Sequence, residues 1–259
     1  MNVKTFISLC YRYFNRRSSS IPEGDPNIAR EIRLMAEREN AYSDQISAHQ
    51  SRVYLIWLEM KTLLSDFFKE HPDMEEEMKR RIISHDDSKL KSDEFPYYCQ
   101  EHYPIKGEHI DEKAIAAAHA LHYKRNDHHP EYWLKDDGTY CIPENKSHMI
   151  CALFEMVCDW EANNIYSKGQ TALLYFVTSR KSIALNPVFD GFVTELLRRL
   201  EEQLFINGFL DNCKTFRTRE QLLEVCSLEK GGEQDERDAD ISSGPEQSQS
   251  DDGEGEDTA

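Results

Sequence analysis

The 259-residue chain has a formal net charge of −17, of which residues 229–259 hold −10 (twelve acidic residues against Lys230 and Arg237), leaving −7 for the body. An acidic body lacks the basic surface that displaces counterions from nucleic acid, which excludes nonspecific binding of that kind, although a small anionic substrate can bind where a metal reverses the local field. Seven cysteines without a Cys-x-x-Cys pair exclude a disulfide-stapled secreted framework and indicate a reduced intracellular protein, cytoplasmic in the simplest case, and no apolar run approaches the roughly 18–20 residues of a membrane span.

Residues 1–26 form a basic arm. Lys4, Arg12, Arg16 and Arg17 precede the first acid, Glu23, and Phe6, Ile7, Leu9, Tyr13 and Phe14 supply an apolar face. Such a stretch suits a short helix or arm lying on the body, or an organelle-targeting segment. Ile21–Pro26 breaks the chain in either case. From Asn27 to about Glu70 few breakers occur. Val53, Ile56, Trp57, Met60, Leu63, Leu64 and Phe67 recur at three- and four-residue steps, which predicts a buried helical stripe with His49 on its edge.

Pro72 and Asp73 start another helix, whose acidic first turn suits the helix dipole and whose end falls near His85-Asp86. A short helix containing Phe95 and Tyr98 is expected to open at Ser92–Glu94. Asp111 opens the next, which runs to about Lys124 and carries His119 and His122. A long polar loop follows from Asn126 to Asn145. Ser147 to about Asn163 reads as a helix with Glu155 and Asp159 four apart, hence on one face. Residues 170–180, 187–206 and 218–228 complete the helical set. Cys151 and Cys158 read as small core residues. Beyond Lys230 the composition predicts a disordered acidic tail, whose roles are solubility or the binding of a basic partner. No alternating strand pattern, glycine-rich phosphate loop or internal repeat is visible.

The candidate ligands are, in order, His49, His85-Asp86, His122, His128-His129 and Asp159. Each falls on or at the end of a separate segment, so a helical bundle can gather them. Imidazole with carboxylate suits iron, manganese or zinc, and the absence of thiolates argues against a structural zinc of the cysteine type. An Asp beside a His can also bridge two ions, because its carboxylate has two oxygens. His119 is expected to pack, while His71, His102, His109 and His148 are expected to be solvated. Tyr132 and Trp133 either wall the site or cover the core.

The order His…His-Asp…His…His…Asp on helices resembles the HD-domain superfamily, most of whose members are metal-dependent phosphohydrolases. His85-Asp86-Asp87-Ser88-Lys89 is similar to the His-Asp-x-Gly-Lys segment of its cyclic-dinucleotide phosphodiesterase branch, with Ser88 in place of the glycine. Pro130 separates His129 from Glu131, and no Gly-Tyr-Pro follows, so the chain departs from that branch. A closer similarity is to a family of small bacterial and phage proteins of uncharacterised activity. Its blocks His-Asp-x-Ser-Lys, His-Tyr-x-x-Asn-x-His-His-Pro-Glu and Glu-Met-x-Cys-Asp-Trp stand here at 85–89, 122–131 and 155–160.

The resemblance, which covers about His49 to Leu200, implies an all-α, HD-like domain that binds one or two divalent ions, and the helical pattern around it sets that domain at residues 27–228. His49, His85, Asp86, His122 and Asp159 would ligate, with His128 and His129 completing the set. Lys89 would contact a substrate phosphate, and Asn126 and Glu155 would orient ligands or the attacking water. The expected reaction is hydrolysis of a phosphate mono- or diester, a nucleotide above all, by metal-activated water. Two other functions fit the same ligands: a di-iron oxygenase of the same fold, and a noncatalytic, metal-stabilised interaction module. The sequence leaves the oligomeric state open.

Overall fold

The apolar stripe around Val53 and Trp57 belongs to a 38-residue helix, α1 (Pro26–Leu63), in the computed structural model, which describes residues 26–212. The basic arm, the expected helix at 218–228 and the acidic tail lie outside the described residues. Among the described residues seven further α-helices follow: α2 (Ser65–Glu70), α3 (Pro72–Ile83), α4 (Phe95–His102), α5 (Glu112–Arg125), α6 (Lys146–Asn163), α7 (Ala172–Ser179) and α8 (Asp190–Ile206). No strand occurs among them; an isolated bridge joins Leu134 to Tyr140. The architecture is all-α, and no described helix is long and apolar enough to cross a membrane.

Helix α6 is buried on nearly every side, with Cys151, Ala152, Phe154, Met156, Val157, Cys158 and Ala162 at 3% exposure or less. A helix that is apolar almost all round must run through the middle of a bundle. It packs against α1, α3, α7 and α8. Trp57 anchors the α1 side, edge-on to Phe68 at 5.2 Å between ring centroids, and Phe154 of α6 meets Phe68 at 5.9 Å. Truncating a buried tryptophan of this kind costs about 3–5 kcal/mol. The N-terminal half of α1 carries a smaller cluster, where Tyr42 and Ile46 meet Tyr98 and Cys99 of α4. The metal-ligand candidates lie where these two clusters meet, midway along α1.

Several expected boundaries shift for identifiable reasons. The helix expected through Glu70 breaks at Leu64, which allows Phe67 and Phe68 to turn back onto Phe154. The short helix expected at Ser92 begins at Phe95, because Asp87–Leu90 forms a 3-10 turn and Glu94 is wholly buried. Helix α6 begins at Lys146, because the Asn145 side chain accepts from the His148 N–H and caps it. The 126–145 loop is more ordered than its composition suggests. It contains a 3-10 turn at Pro130–Trp133, and the indole N–H of buried Trp133 donates to the Asp127 carbonyl at 2.7 Å. Trp133 therefore covers the core beside Met149 and Ala152, whereas Tyr132 is exposed. A π-helical turn at Asn164–Lys168, which the sequence does not announce, follows α6 and ends on Gly169 in the left-handed region.

Candidate metal centre

Each candidate ligand is delivered by a different element. His49 lies on α1, His85 and Asp86 just beyond α3, His122 on α5, His128 and His129 in the loop after it, and Asp159 on α6. Asp86 has φ 60°, and among the described residues no other non-glycine residue has a positive φ. Such a conformation is held only where its surroundings over-determine it. Here the Gln50 amide donates to the His85 carbonyl at 2.7 Å and to Asp87 Oδ1 at 3.1 Å, pinning the turn from α1. The bend brings His85 and Asp86, both at most 2% exposed, to one point.

The side chains form two sets that meet on Asp86. In the first, His49 Nε2 lies 2.9 Å from Asp159 Oδ1 and 3.8 Å from Asp86 Oδ2. His85 Nε2 lies 3.6 Å from each of these oxygens. In the second, His122 Nε2 is 3.2 Å and His128 Nε2 3.7 Å from Asp86 Oδ1, with His129 Nε2 3.0 Å from His122 Nε2. Each set can hold a metal ion by the closeness of its ligand atoms: His49, His85 and Asp159 in one, Asp86, His122, His128 and His129 in the other.

The tautomers argue that these atoms await a cation. His85 Nδ1 and His128 Nδ1 both face Glu155 Oε1, at 2.9 and 3.2 Å. His122 Nδ1 faces Glu94 Oε2 at 3.1 Å and the Ser88 hydroxyl at 2.8 Å. A ring nitrogen donating to a carboxylate carries the proton, so the Nε2 lone pairs turn inward. His49 Nε2 and His85 Nε2 nevertheless stand 3.3 Å apart. The contact of His122 Nε2 with Asp86 Oδ1 is, for the same reason, no hydrogen bond. His128 Nε2 and Asp86 Oδ1 are buried without hydrogen-bond partners, an arrangement that costs about 1–3 kcal/mol per orphaned group. A positive ion between them satisfies both. A third trio, His85, His128 and Glu155, is equally close, but its contacts use the protonated Nδ1 atoms, so Glu155 is an orienting acceptor there.

The electrostatics agree with this reading. Burial alone would raise the Asp86 carboxyl, yet the charges of His85 and Lys89 hold it well below the carboxylate range. Asp159 is held down against burial by His49 and His85. Burial lowers His85, but Asp86, Asp159 and Glu155 more than reverse this and push it well above the usual imidazole value. The pocket draws in positive charge, which a proton or a metal ion can supply. His129, desolvated and beside His128, is pushed down to about 2, leaving a neutral imidazole with a free lone pair.

Behind the ligands stand groups that the sequence reading missed. Arg81 donates through Nε to Glu155 Oε2 at 2.8 Å and holds Asp127 through both terminal nitrogens. Arg125 likewise donates to Glu94 at 2.6 Å and to Asp93 at 2.5 Å. Two arginine–glutamate–histidine relays therefore orient the site, one through Glu155 and one through Glu94. Ser88 uses its hydroxyl to donate to Glu94 Oε2 at 2.9 Å. His148, expected to be solvated, instead pairs with Asp127 at 2.7 Å and Glu77 at 2.8 Å. A helix-start acid such as Glu94 and a last-turn arginine such as Arg81 carry no local signal of this role.

The remaining candidates are placed as follows. Asn126 donates to the Ser88 hydroxyl and to the His122 carbonyl, both at 2.8 Å. Lys89 is seated on Asp86 Oδ2 at 2.6 Å and lies over the Tyr98 ring. His119 packs edge-on against Tyr98 and pairs with Glu101, while His71, His102 and His109 are exposed as expected. Cys151 and Cys158 are buried, with pKa values raised by burial, and are core residues.

Residues 38–199, which include every candidate ligand, match the model of a family of unknown function, DUF5662. No curated protein and no solved structure is significantly similar to the chain.

Proposed function

The chain belongs to this family, which brings no activity with it, and from the site itself we propose that it is a metal-dependent phosphohydrolase acting on a phosphate mono- or diester. The observation that carries the reading is the division of Asp86. One carboxylate oxygen faces His49 and His85, the two histidines that also face Asp159, and the other faces His122 and His128, with His129 beside them. A carboxylate shared in this way suits two divalent ions, with iron, manganese and zinc all compatible with a nitrogen–oxygen set. The similarity of the ligand order to the HD-domain superfamily points to the same chemistry. Ions held there would lower the pKa of a water and neutralise charge on phosphoryl oxygens.

The chain's own groups supply the rest. Glu155 and Glu94 keep His85, His128 and His122 in the tautomer that ligates. Asn126 fixes the Ser88 hydroxyl beneath His122. Lys89, a quarter exposed along its side chain, brings a cation to the bridging carboxylate and is the group placed to meet a phosphate oxygen. A nucleotide is the favoured substrate because aromatic rings flank the ligands. Tyr123 lies tilted against His129 with ring centroids 4.9 Å apart, and Trp160, next to Asp159 in the chain, meets Tyr175 edge-on at 6.1 Å with the Lys168 ammonium 4.5 Å over the Tyr175 ring. Planar rings and cations of this kind suit a base and its phosphates.

Elemental analysis of protein purified without chelator, wild type beside Asp86→Ala, tests the premise. One or two equivalents of metal in the wild type, absent from a folded variant, support it. Release of phosphate from a nucleotide panel in the loaded wild type then tests the reaction. Iron-dependent oxygen uptake would favour the oxygenase, and bound metal without turnover of either kind would favour the interaction module. A wild type that takes up no stoichiometric metal sinks the proposal.

A further inference from the structure

The two ligand sets differ in how they are held. His49 and Asp159 project from long helices, α1 and α6, and His85 follows directly from the end of α3. His128 and His129 lie in the loop between Arg125 and Pro130, outside any helix. Side chains on a loop keep a ligating geometry only if something fixes the backbone beneath them. That element is visible one residue earlier. Asp127 is gripped through both carboxylate oxygens by Arg81 of α3, receives His148 Nε2 from α6 at 2.7 Å, and offers its carbonyl to the Trp133 indole at 2.7 Å.

Arg81 does a second thing with the same guanidinium. Its Nε–H donates to Glu155 Oε2 at 2.8 Å, while Glu155 Oε1 accepts from His128 Nδ1. Arg81 thus reaches His128 by two routes, through the backbone at Asp127 and through the ring at Glu155. Its side chain is 12% exposed, and its planar fork is what lets one residue serve both carboxylates at once.

Resting on the two-ion reading above, we propose that Arg81, with Asp127, is the positioning residue for the second ion, the one held by His122, His128 and His129. The first set does not depend on Asp127. The two ions are therefore separable: weakening the clamp releases the second while the first stays. A purely structural salt bridge would weaken both ions alike or neither.

The test uses the full chain, stripped with chelator and titrated with Mn2+ alone, with bound ions counted by calorimetry and electron paramagnetic resonance. The wild type should take two ions. Asp127→Ala, which leaves Arg81 on Glu155, should keep one ion near wild-type affinity and bind the other at least tenfold more weakly, while Arg81→Lys, which also loosens Glu155 beneath both His85 and His128, should weaken the second ion more than the first. His49→Ala should show the converse, losing the first ion. Equal weakening of both ions, or two ions bound as in the wild type, overturns the proposal. If Arg81→Lys does not fold, Asp127→Ala decides; unfolding of Asp127→Ala would make the clamp a requirement of the fold and overturn the proposal as well. A wild type that binds no Mn2+ removes the metal reading itself, and one that binds a single ion removes this inference alone.

Discussion

Helix α6 carries two kinds of buried or largely buried acid within seven residues. Glu155 and Asp159 face histidines and arginine, and although burial pushes their carboxyls up, those partners hold both below the ordinary range. Glu161, on the same helix, is buried against Glu201 of α8, and there burial and the second carboxylate push it well above the ordinary range. Both glutamates serve the start of α7: Glu161 Oε2 accepts from the Ala172 N–H at 3.2 Å, and Glu201 Oε1 from the Leu173 N–H at 2.6 Å. Burial is common to the two regions and so cannot be what separates them. The partner decides: acids among imidazoles stay charged and can take a cation, while acids among acids keep a proton and cap a helix.

Substitutions that separate the regions follow from that contrast. The largest expected effect is at the candidate metal centre, where Asp159→Ala removes an oxygen from the first set and, on the two-ion reading, should leave one bound ion in place of two. The stoichiometry is read by elemental analysis, and the start of α7 should be unaffected. Glu155→Gln should be milder but broader. Because its Oε1 serves both His85 and His128, both ions should weaken, by about ten- to a hundredfold as for other groups that orient metal ligands. Calorimetric titration that finds only one ion weakened would contradict the shared role of that oxygen.

Much of this site is legible in the sequence because its candidate ligands are rare residue types at marked spacings. His85-Asp86, His122, His128-His129 and Asp159 announce themselves, and His49 is lifted from an ordinary helix histidine by the pattern downstream. The helices were legible for a related reason, since apolar periodicity reports burial directly. What the sequence withheld is pairing at long range. Arg81 and Asp127 are 46 residues apart and Arg81 and Glu155 74 apart, and each reads locally as an unremarkable charged residue. The same holds for His148, whose polar neighbours suggested solvent, while its partners Glu77 and Asp127 arrive from other elements. The sharp turn at Asp86 was hidden too, since a positive φ is usually signalled by glycine and here rests on Gln50 reaching across from α1.

The acid pair gives no effect on metal binding and the most specific one on stability. Glu161 keeps its proton in the folded chain to a pH well above its ordinary value of 4.5, about which it ionises in the unfolded chain. Below that value both states hold the proton and the stabilisation is fully present. Above it the unfolded state alone releases the proton, so stability falls with rising pH until the raised folded value is passed, by at most roughly 1.4 kcal/mol per pH unit for one proton. The lowered carboxylates of the metal centre act in the opposite direction, since their contribution is present above the ordinary carboxylate value and lost in acid. Glu161→Gln keeps an acceptor for Ala172 and a donor for Glu201 but cannot ionise. Urea unfolding of the metal-free protein from pH 5 to pH 8 should therefore show the variant gaining on the wild type as pH rises, with Mn2+ binding unchanged. A difference that stays constant across that range would mean that Glu161 is ionised in the folded chain, and the contrast between the two kinds of buried acid would fail.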